Sequence, residues 1–526
     1  MSTLNSVRTL IRKMSGEELK VARRFLTAFS PRGSNAPNQA LKLFDLLCRE
    51  LLMDKSLEDR ELESLVYSRK ASAAFPRLIL RLRDKLYETL HLSVNIERLG
   101  AYSERARALY EIRKGISEAQ ILLDRGAWNL VITLLDECIA KASKYEHYEE
   151  WAAALRMRIE IRTVDRGKIS FEAENQQYNK VIRGLIASKK ALEHYHRLGS
   201  HIEFKAGTSH LEELQKSIDE LQEEFEKSAS ANVAFFLHYL EVHFYQEMRL
   251  YKLASGILKR LAGLVEHHPA VSSPSRIAGV YINLAWNEIC VRKFASALRY
   301  NTKVKEILPE KHFNYFQCLE TEFFAQFYLG KYDAALKTVN ELLKHDTSAE
   351  YRIGKREYQK ACVLFMLGKH EQVQKLLTTL NPIEEDGEGW NLALRSLFIM
   401  NDIESEKTDN ADKRIENMRK HISKLKKGNR ERAREVIKFE ILRALVNSKF
   451  DFIETRKKVK DDLTKLLSDD EEYYWKIMSP ELIIFDQWFE SKVFKQKLGL
   501  KIPPYVKPTV SVKELELEVK PKNVYK

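Results

Sequence analysis

The sequence predicts an all-α protein built as a solenoid of stacked helical hairpins. Three observations carry this. Lys293-Phe294-Ala295-Ser296-Ala297, Lys331-Tyr332-Asp333-Ala334-Ala335 and Lys369-His370-Glu371-Gln372-Val373 start 38 residues apart at each step. That period suits one hairpin of helices per repeat. Glycine (19) and proline (12) are scarce among 526 residues, which disfavours a turn-rich β chain and favours long helices with short connections. Apolar residues recur at helical spacing, as in Val7, Leu10, Ile11 and Met14.

Residues 1–115 read as a separate basic helical unit. Ser15-Gly16-Glu17-Glu18 has the S-x-x-E pattern of a capping box. Pro31, Gly33 and Pro37 mark a loop. The unit holds 22 Lys and Arg against 14 Asp and Glu. Its helix Ala73–Leu90 sets Phe75, Leu78, Ile79, Leu82 and Leu86 on one face and Arg77, Arg81, Arg83 and Lys85 on the other. The cationic face resembles a winged-helix recognition element, whose cations meet phosphates. A solvated helix face accounts for the same pattern.

Residues 116–470 read as the hairpin array. Tyr281, Leu284 and Ala285 precede Phe294, Ala297 and a closing Pro309, and Tyr332 with Ala335 and Ala361 with Val373 repeat the pattern. On these residues the segment resembles the tetratricopeptide (TPR) repeat family. The resemblance implies a right-handed α-solenoid in which small residues let paired helices approach and an aromatic fills the gap to the next hairpin. It implies partner binding and no reaction. A long hairpin over about 171–228 interrupts the period. Leu211, Leu214, Ile218, Leu221 and Phe225 step by three and four, but the run is short for a dimerising coiled coil and suits a hairpin packed on its neighbours. Residues 471–500 read as aromatic-rich capping helices. Residues 501–526 read as an extended tail, with Val510 to Lys526 a plausible occupant of the array's own groove.

No phosphate loop, nucleophile elbow or zinc-helix motif is present, so no catalytic residue is assigned and the expected class is non-enzymatic. The histidine pairs His238/His243 and His194/His196 lack the i, i+3 or i+4 spacing of helical metal ligands. No metal or cofactor is expected. The five cysteines, scattered and without a CxxC pair, suit a reducing, cytoplasmic setting. No run is long and apolar enough for a membrane span.

Two candidate surfaces remain. Carried onto this register, the family's groove positions give Tyr239, His243, Trp286, Phe324, Tyr328, Tyr358 and Phe365, an aromatic strip suited to a helix or extended peptide. Inter-repeat core would use the same positions, and the sequence leaves both readings open. Phe324→Ala with Tyr328→Ala is expected to weaken partner capture more than stability. The second surface is a basic patch, Lys424, Lys426, Lys427 and Arg430, with Arg77, Arg81 and Lys85 as its N-terminal counterpart. It accompanies a net charge of +13. The expected function is an adaptor or scaffold that holds a protein or peptide partner. The alternative is a nucleic-acid-linked regulator with a basic N-terminal unit and a partner-sensing array.

Overall fold

The computed structural model describes residues 3–28, 38–53, 57–67, 74–93, 103–166, 168–202, 208–345, 350–381, 383, 389–425, 433–468, 470 and 472–506. Among them are 24 α-helices and no strand. The chain divides into two compact units, Met1–Tyr102 and Ser103–Lys526.

The first unit contains α1 (Thr3–Lys13), α2 (Gly16–Ala28), α3 (Gln39–Met53), α4 (Asp59–Tyr67) and α5 (Ala74–Ser93). Their apolar stripes close one core that includes Val7, Leu26, Leu43, Phe44, Leu62, Leu82 and Leu86. The capping box forms at α2: the Glu18 amide donates to Ser15 Oγ at 3.3 Å and the Ser15 amide to Glu18 Oε2 at 2.6 Å. Arg8 ties α1 to α3 through a two-pronged pair with Glu50 at 3.0 Å.

The second unit begins with α6 (Glu104–Asp124), so the boundary expected near residue 115 falls inside a helix. It continues with α7 (Trp128–Lys144), α8 (Tyr148–Arg166), α9 (Lys168–Ile202), α10 (Thr208–Ser228), α11 (Ala231–Glu247), α12 (Tyr251–His267), α13 (Pro274–Cys290) and α14 (Phe294–Ile307). Then follow α15 (Phe313–Tyr328), α16 (Tyr332–His345), α17 (Glu350–Met366), α18 (His370–Thr379), α19 (Trp390–Glu404), α20 (Thr408–Leu425) and α21 (Ala433–Asn447). Two short helices, α22 (Phe452–Lys458) and α23 (Lys460–Leu466), precede α24 (Phe485–Val493). From α6 to α21 each helix packs mainly on its sequence neighbours, as a solenoid requires, while α23 packs on α21 and α22 and α24 packs on α22. The long α9 and α10 pack on each other and on α11, with Leu214, Ile218 and Leu221 buried.

The hairpin turns repeat one backbone device. Gly126, Arg249, Arg292, Gly330, Gly368, Glu406 and Lys449 all take positive φ. At each, the amide of the next residue reaches back to the carbonyl five residues earlier, as Lys293 does to Glu288 and Lys331 to Gln326. This is the Schellman closure of a helix. The second helix then starts at once, and three residues into it stands a fully buried small residue: Val131, Ala254, Ala297, Ala335, Val373, Ala411 or Thr455. Lys407 to Ala411 is therefore a fourth copy of the 38-residue phrase, with Thr408 in place of the aromatic.

A second device links successive first helices at their N-terminal ends. The Glu146 carboxylate, on the α7–α8 turn, accepts from the Ala231 and Asn232 amides and from the Ser230 hydroxyl at 2.7–3.0 Å, closing the start of α11. Between α13 and α15, Ser275 Oγ meets His312 Nε2 at 2.9 Å, and Asn314 donates to the Ser275 carbonyl at 3.2 Å.

Residues 471–500 were expected as capping helices. Among the described residues the stretch holds only α24. The segment before it is turns and irregular backbone, and from 496 to 506 it has no regular secondary structure. Pro480 lacks the amide a helix would need, its carbonyl accepts from Tyr358 of α17, and the Glu481 carbonyl accepts from the Trp475 indole.

Candidate functional site: the aromatic face of the array

The strip Tyr239, His243, Trp286, Phe324, Tyr328, Tyr358 and Phe365 divides in two. Phe324, Tyr328, Tyr358 and Phe365 are buried, while Tyr239, His243 and Trp286 are half-buried. The division follows the path of the chain's own C-terminal segment.

That segment folds back over the downstream half. Trp475 meets Tyr328 edge-on at 5.8 Å between ring centroids. The Met478 amide donates to the Tyr328 hydroxyl at 2.9 Å, and the Tyr358 hydroxyl donates to the Pro480 carbonyl at 2.7 Å. Burial pushes both phenol pKa values well above the ordinary range, so these hydroxyls serve only as neutral donors and acceptors. Further on, Arg292 donates to the Pro503 carbonyl at 2.9 Å and to the Tyr474 hydroxyl at 3.0 Å, and its guanidinium stands 5.9 Å from the Trp475 ring. Tyr474 in turn donates to the Pro504 carbonyl at 3.3 Å. The Tyr505 hydroxyl donates to the Arg249 carbonyl at the end of α11, and its ring packs 5.4 Å from Tyr251. Residues 495–506 thus form a strap, held largely by side chains that address its backbone.

A buried charge cluster anchors the root of the strap. Arg434 on α21 grips Glu481 with two bonds, 2.8 and 2.9 Å, and reaches Asp486 at 2.7 Å. Lys438 lies 3.2 Å from Glu481. Burial acts to raise the Glu481 pKa, but the two cations more than reverse it and hold the carboxyl at about 2. Asp486 moves the other way: burial and the Glu481 charge raise it, because a single bond to the shared guanidinium compensates less.

In the upstream half Tyr239 and His243 keep part of their surface exposed, whereas Phe235, the first ring of the row, is buried. Phe235, Tyr239 and His243 stand four residues apart on α11, with rings 6.3 and 5.2 Å from one to the next. Tyr195 of α9 packs edge-on to Tyr239 at 5.3 Å. Burial lowers the His243 pKa to about 4, reinforced by the nearby His210, so its imidazole is neutral at pH 7. Burial raises Tyr239 to about 12. Arg276 of α13 lies 4.4 Å over the Phe235 ring and closes the row. Trp286 meets Tyr251 at 5.9 Å, beside the end of the strap.

Among the other expected residues, Arg77 and Arg81 are exposed on α5 and Lys85 is half-buried. Lys426, Lys427, Arg430 and the side chain of Lys424 lie outside the described residues, as does Val510 to Lys526. Among the described residues no three His, Cys, Asp or Glu side chains stand close enough to share a metal ion. None of the described helices is long and apolar enough to cross a membrane. Sequence reasoning misses Arg276 and Tyr195; it reads 501–526 as an extended tail and places the groove occupant at Val510 to Lys526, not at the strap of residues 495–506. Within the strap, Pro503-Pro504 is the local signal that ends helix.

No known family model, curated protein or solved structure matches this chain.

Proposed function

We propose that this chain is a non-enzymatic cytoplasmic adaptor whose array, a right-handed solenoid of TPR-like hairpins, holds a partner protein through an extended peptide segment. The observation that carries the reading is the strap. The array face already accommodates non-helical polypeptide in cis: Arg292 and Tyr358 bond carbonyls of the C-terminal segment, and that segment's Tyr505 bonds the Arg249 carbonyl of the array. Recognition through the backbone tolerates varied sequence, and aromatic side chains supply contact area at low entropic cost. Tyr239, His243 and Trp286 continue the same face without the strap above them. An immobilised array of extended peptides tests this. Retention should survive high salt and fall in Tyr239→Ala and Trp286→Ala variants that melt like the parent. No retention above background, or retention indifferent to both substitutions, overturns it.

The nucleic-acid alternative draws on one observation. Arg77 and Arg81 are exposed one helical turn apart, and neither enters an ion pair among the described residues. Duplex binding at about 50 mM salt, steeply salt-dependent and lost in Arg77→Glu/Arg81→Glu, would favour it. Absence of binding there removes it.

A further inference from the structure

We propose that the open half of the aromatic face is a docking site for an extended acidic segment of a partner chain, with Arg276 as the residue that engages its carboxylates. This rests on the peptide-holding reading above and narrows it to a ligand class.

Arg276 is an uncompensated cation. It sits in the first turn of α13, behind the Ser273 cap, where the helix dipole favours an anion and disfavours a guanidinium. No carboxylate pairs with it among the described residues. Its contacts are the Val271 carbonyl at 3.4 Å and the faces of Phe235 and Phe236, at 4.4 and 5.9 Å. Burial and then the like charge of Arg105 lower its pKa to about 10. Arg105 has the carboxylates of Glu146 and Glu150 nearby, whereas Arg276 has none among the described residues, so an arriving carboxylate would stabilise Arg276. Such charge-assisted bonds are stronger than neutral ones.

The geometry suits an extended strand. From Arg276, seated over the buried Phe235, along Tyr239 to His243 the site follows eight residues of helix, about 12 Å at about 1.5 Å per residue. An extended peptide covers that distance in about four residues, and its alternate side chains point to one face. Apolar side chains would lie on the aromatic row, with an acidic one at Arg276. The site also continues an interface that exists. The strap's Tyr505 is fixed at the C-terminal end of α11, and the open row runs from there toward the N-terminal end of the same helix.

The test uses the full-length protein and two fluorescein-labelled octapeptides, one alternating leucine with glutamate and one alternating leucine with glutamine. Fluorescence anisotropy should show saturable binding of the glutamate probe, about tenfold or more tighter than the glutamine probe. That preference should vanish in Arg276→Gln and persist in part in Arg276→Lys. Equal affinity for the two probes overturns the acidic assignment while leaving the peptide-holding reading intact. An unchanged preference in Arg276→Gln overturns the role of Arg276. Should that variant fail to fold, the two-probe comparison on the parent protein still decides. Binding that appears only in full-length Glu514→Gln/Glu516→Gln/Glu518→Gln overturns the partner and gives the site to the chain's own C-terminus. Failure of both probes on both proteins overturns this proposal together with the peptide-holding reading.

Discussion

The Tyr358 hydroxyl donates to the carbonyl of Pro480 at 2.7 Å, across 122 residues of sequence. The bond joins a helix in the middle of the array to an irregular segment near the end of the chain. It also decides how the aromatic strip is to be read, because a side chain that holds the C-terminal segment is unavailable to a partner. The strip's buried members contribute stability, and only its half-buried members keep surface that a partner could reach.

The first prediction separates the two halves. Phe324 is only 4% exposed and stacks on Tyr328 at 6.1 Å, so Phe324→Ala should cost about 3–5 kcal/mol. Tyr239→Ala removes a half-buried ring and should cost less. The sequence pattern weighted Phe324 and Tyr328 toward capture, whereas their burial weights them toward stability. Urea denaturation of both single variants checks the order. A Phe324→Ala midpoint no lower than that of Tyr239→Ala contradicts it.

Glu481 should make the fold acid-sensitive. Its carboxyl, held at about 2 by burial opposed and outweighed by Arg434 and Lys438, lies below its ordinary value of 4.5. The unfolded chain therefore binds more protons between those values, and stability falls as pH drops from about 4.5 toward 2. Asp486 runs in the opposite sense, since its raised pKa makes the folded carboxyl the better proton acceptor. Glu481→Gln leaves two buried cations short of a partner and should cost about 3–5 kcal/mol at pH 7. Its stability should then decline less steeply in acid than that of the parent. A parent-like slope in denaturation followed from pH 6 to 2 would place the acid sensitivity elsewhere.

What could be read from sequence was local. The hairpin turn uses residues within six positions of one another, so the phrase at 293, 331 and 369 carries the array by itself. The copy at Lys407 was harder to see because Thr408 replaces the aromatic, although Ala411 keeps the buried small position. Which face of each first helix stays open was not legible. That depends on the fold-back of residues 473–506, whose contacts with Tyr328, Arg292 and Arg249 join positions 150 to 256 residues apart. Its aromatics suggested helices because Trp475, Phe485, Trp488 and Phe489 are spaced for burial. They are indeed buried, but on two sides of an irregular segment around Pro480.

Close helix crossings yield a packing prediction. A Cβ at Gly184 on α9 would lie 2.4 Å from the Tyr148 ring on α8, and one at Gly115 would lie 2.5 Å from Cys138 Sγ. Gly184→Ala should cost about 1–3 kcal/mol despite the higher helix propensity of alanine. Combining it with Tyr148→Leu should cost less than the sum of the two single substitutions, because the smaller side chain vacates the space. Additive losses in thermal denaturation would mean that the Gly184→Ala loss does not arise from the Tyr148 contact.

Arg292 offers the most discriminating substitution. Its φ is +67°, in the region that favours glycine, and the matching turns 38 and 76 residues later carry Gly330 and Gly368. Backbone preference alone therefore predicts that Arg292→Gly is tolerated. The side chain argues otherwise for one part of the molecule, since it donates to the Pro503 carbonyl and the Tyr474 hydroxyl that hold the strap. Relief of the left-handed conformation is worth about 1–2 kcal/mol, close to what net charged hydrogen bonds contribute, about 1.5–3 kcal/mol. The global melting temperature should thus move little, while residues 495–506 lose hydrogen-exchange protection and are cut more readily by trypsin at Lys497 and Lys501. Arg292→Ala loses the same bonds and keeps the backbone strain, so it should melt below the glycine variant with equal strap release. If Arg292→Gly leaves the strap as protected as in the parent, Tyr505 and the Glu481 anchor hold it without Arg292. Release of the strap should also uncover Tyr251, which Tyr505 packs against beside Trp286, so that a peptide bound at Tyr239 and His243 gains affinity in the glycine variant.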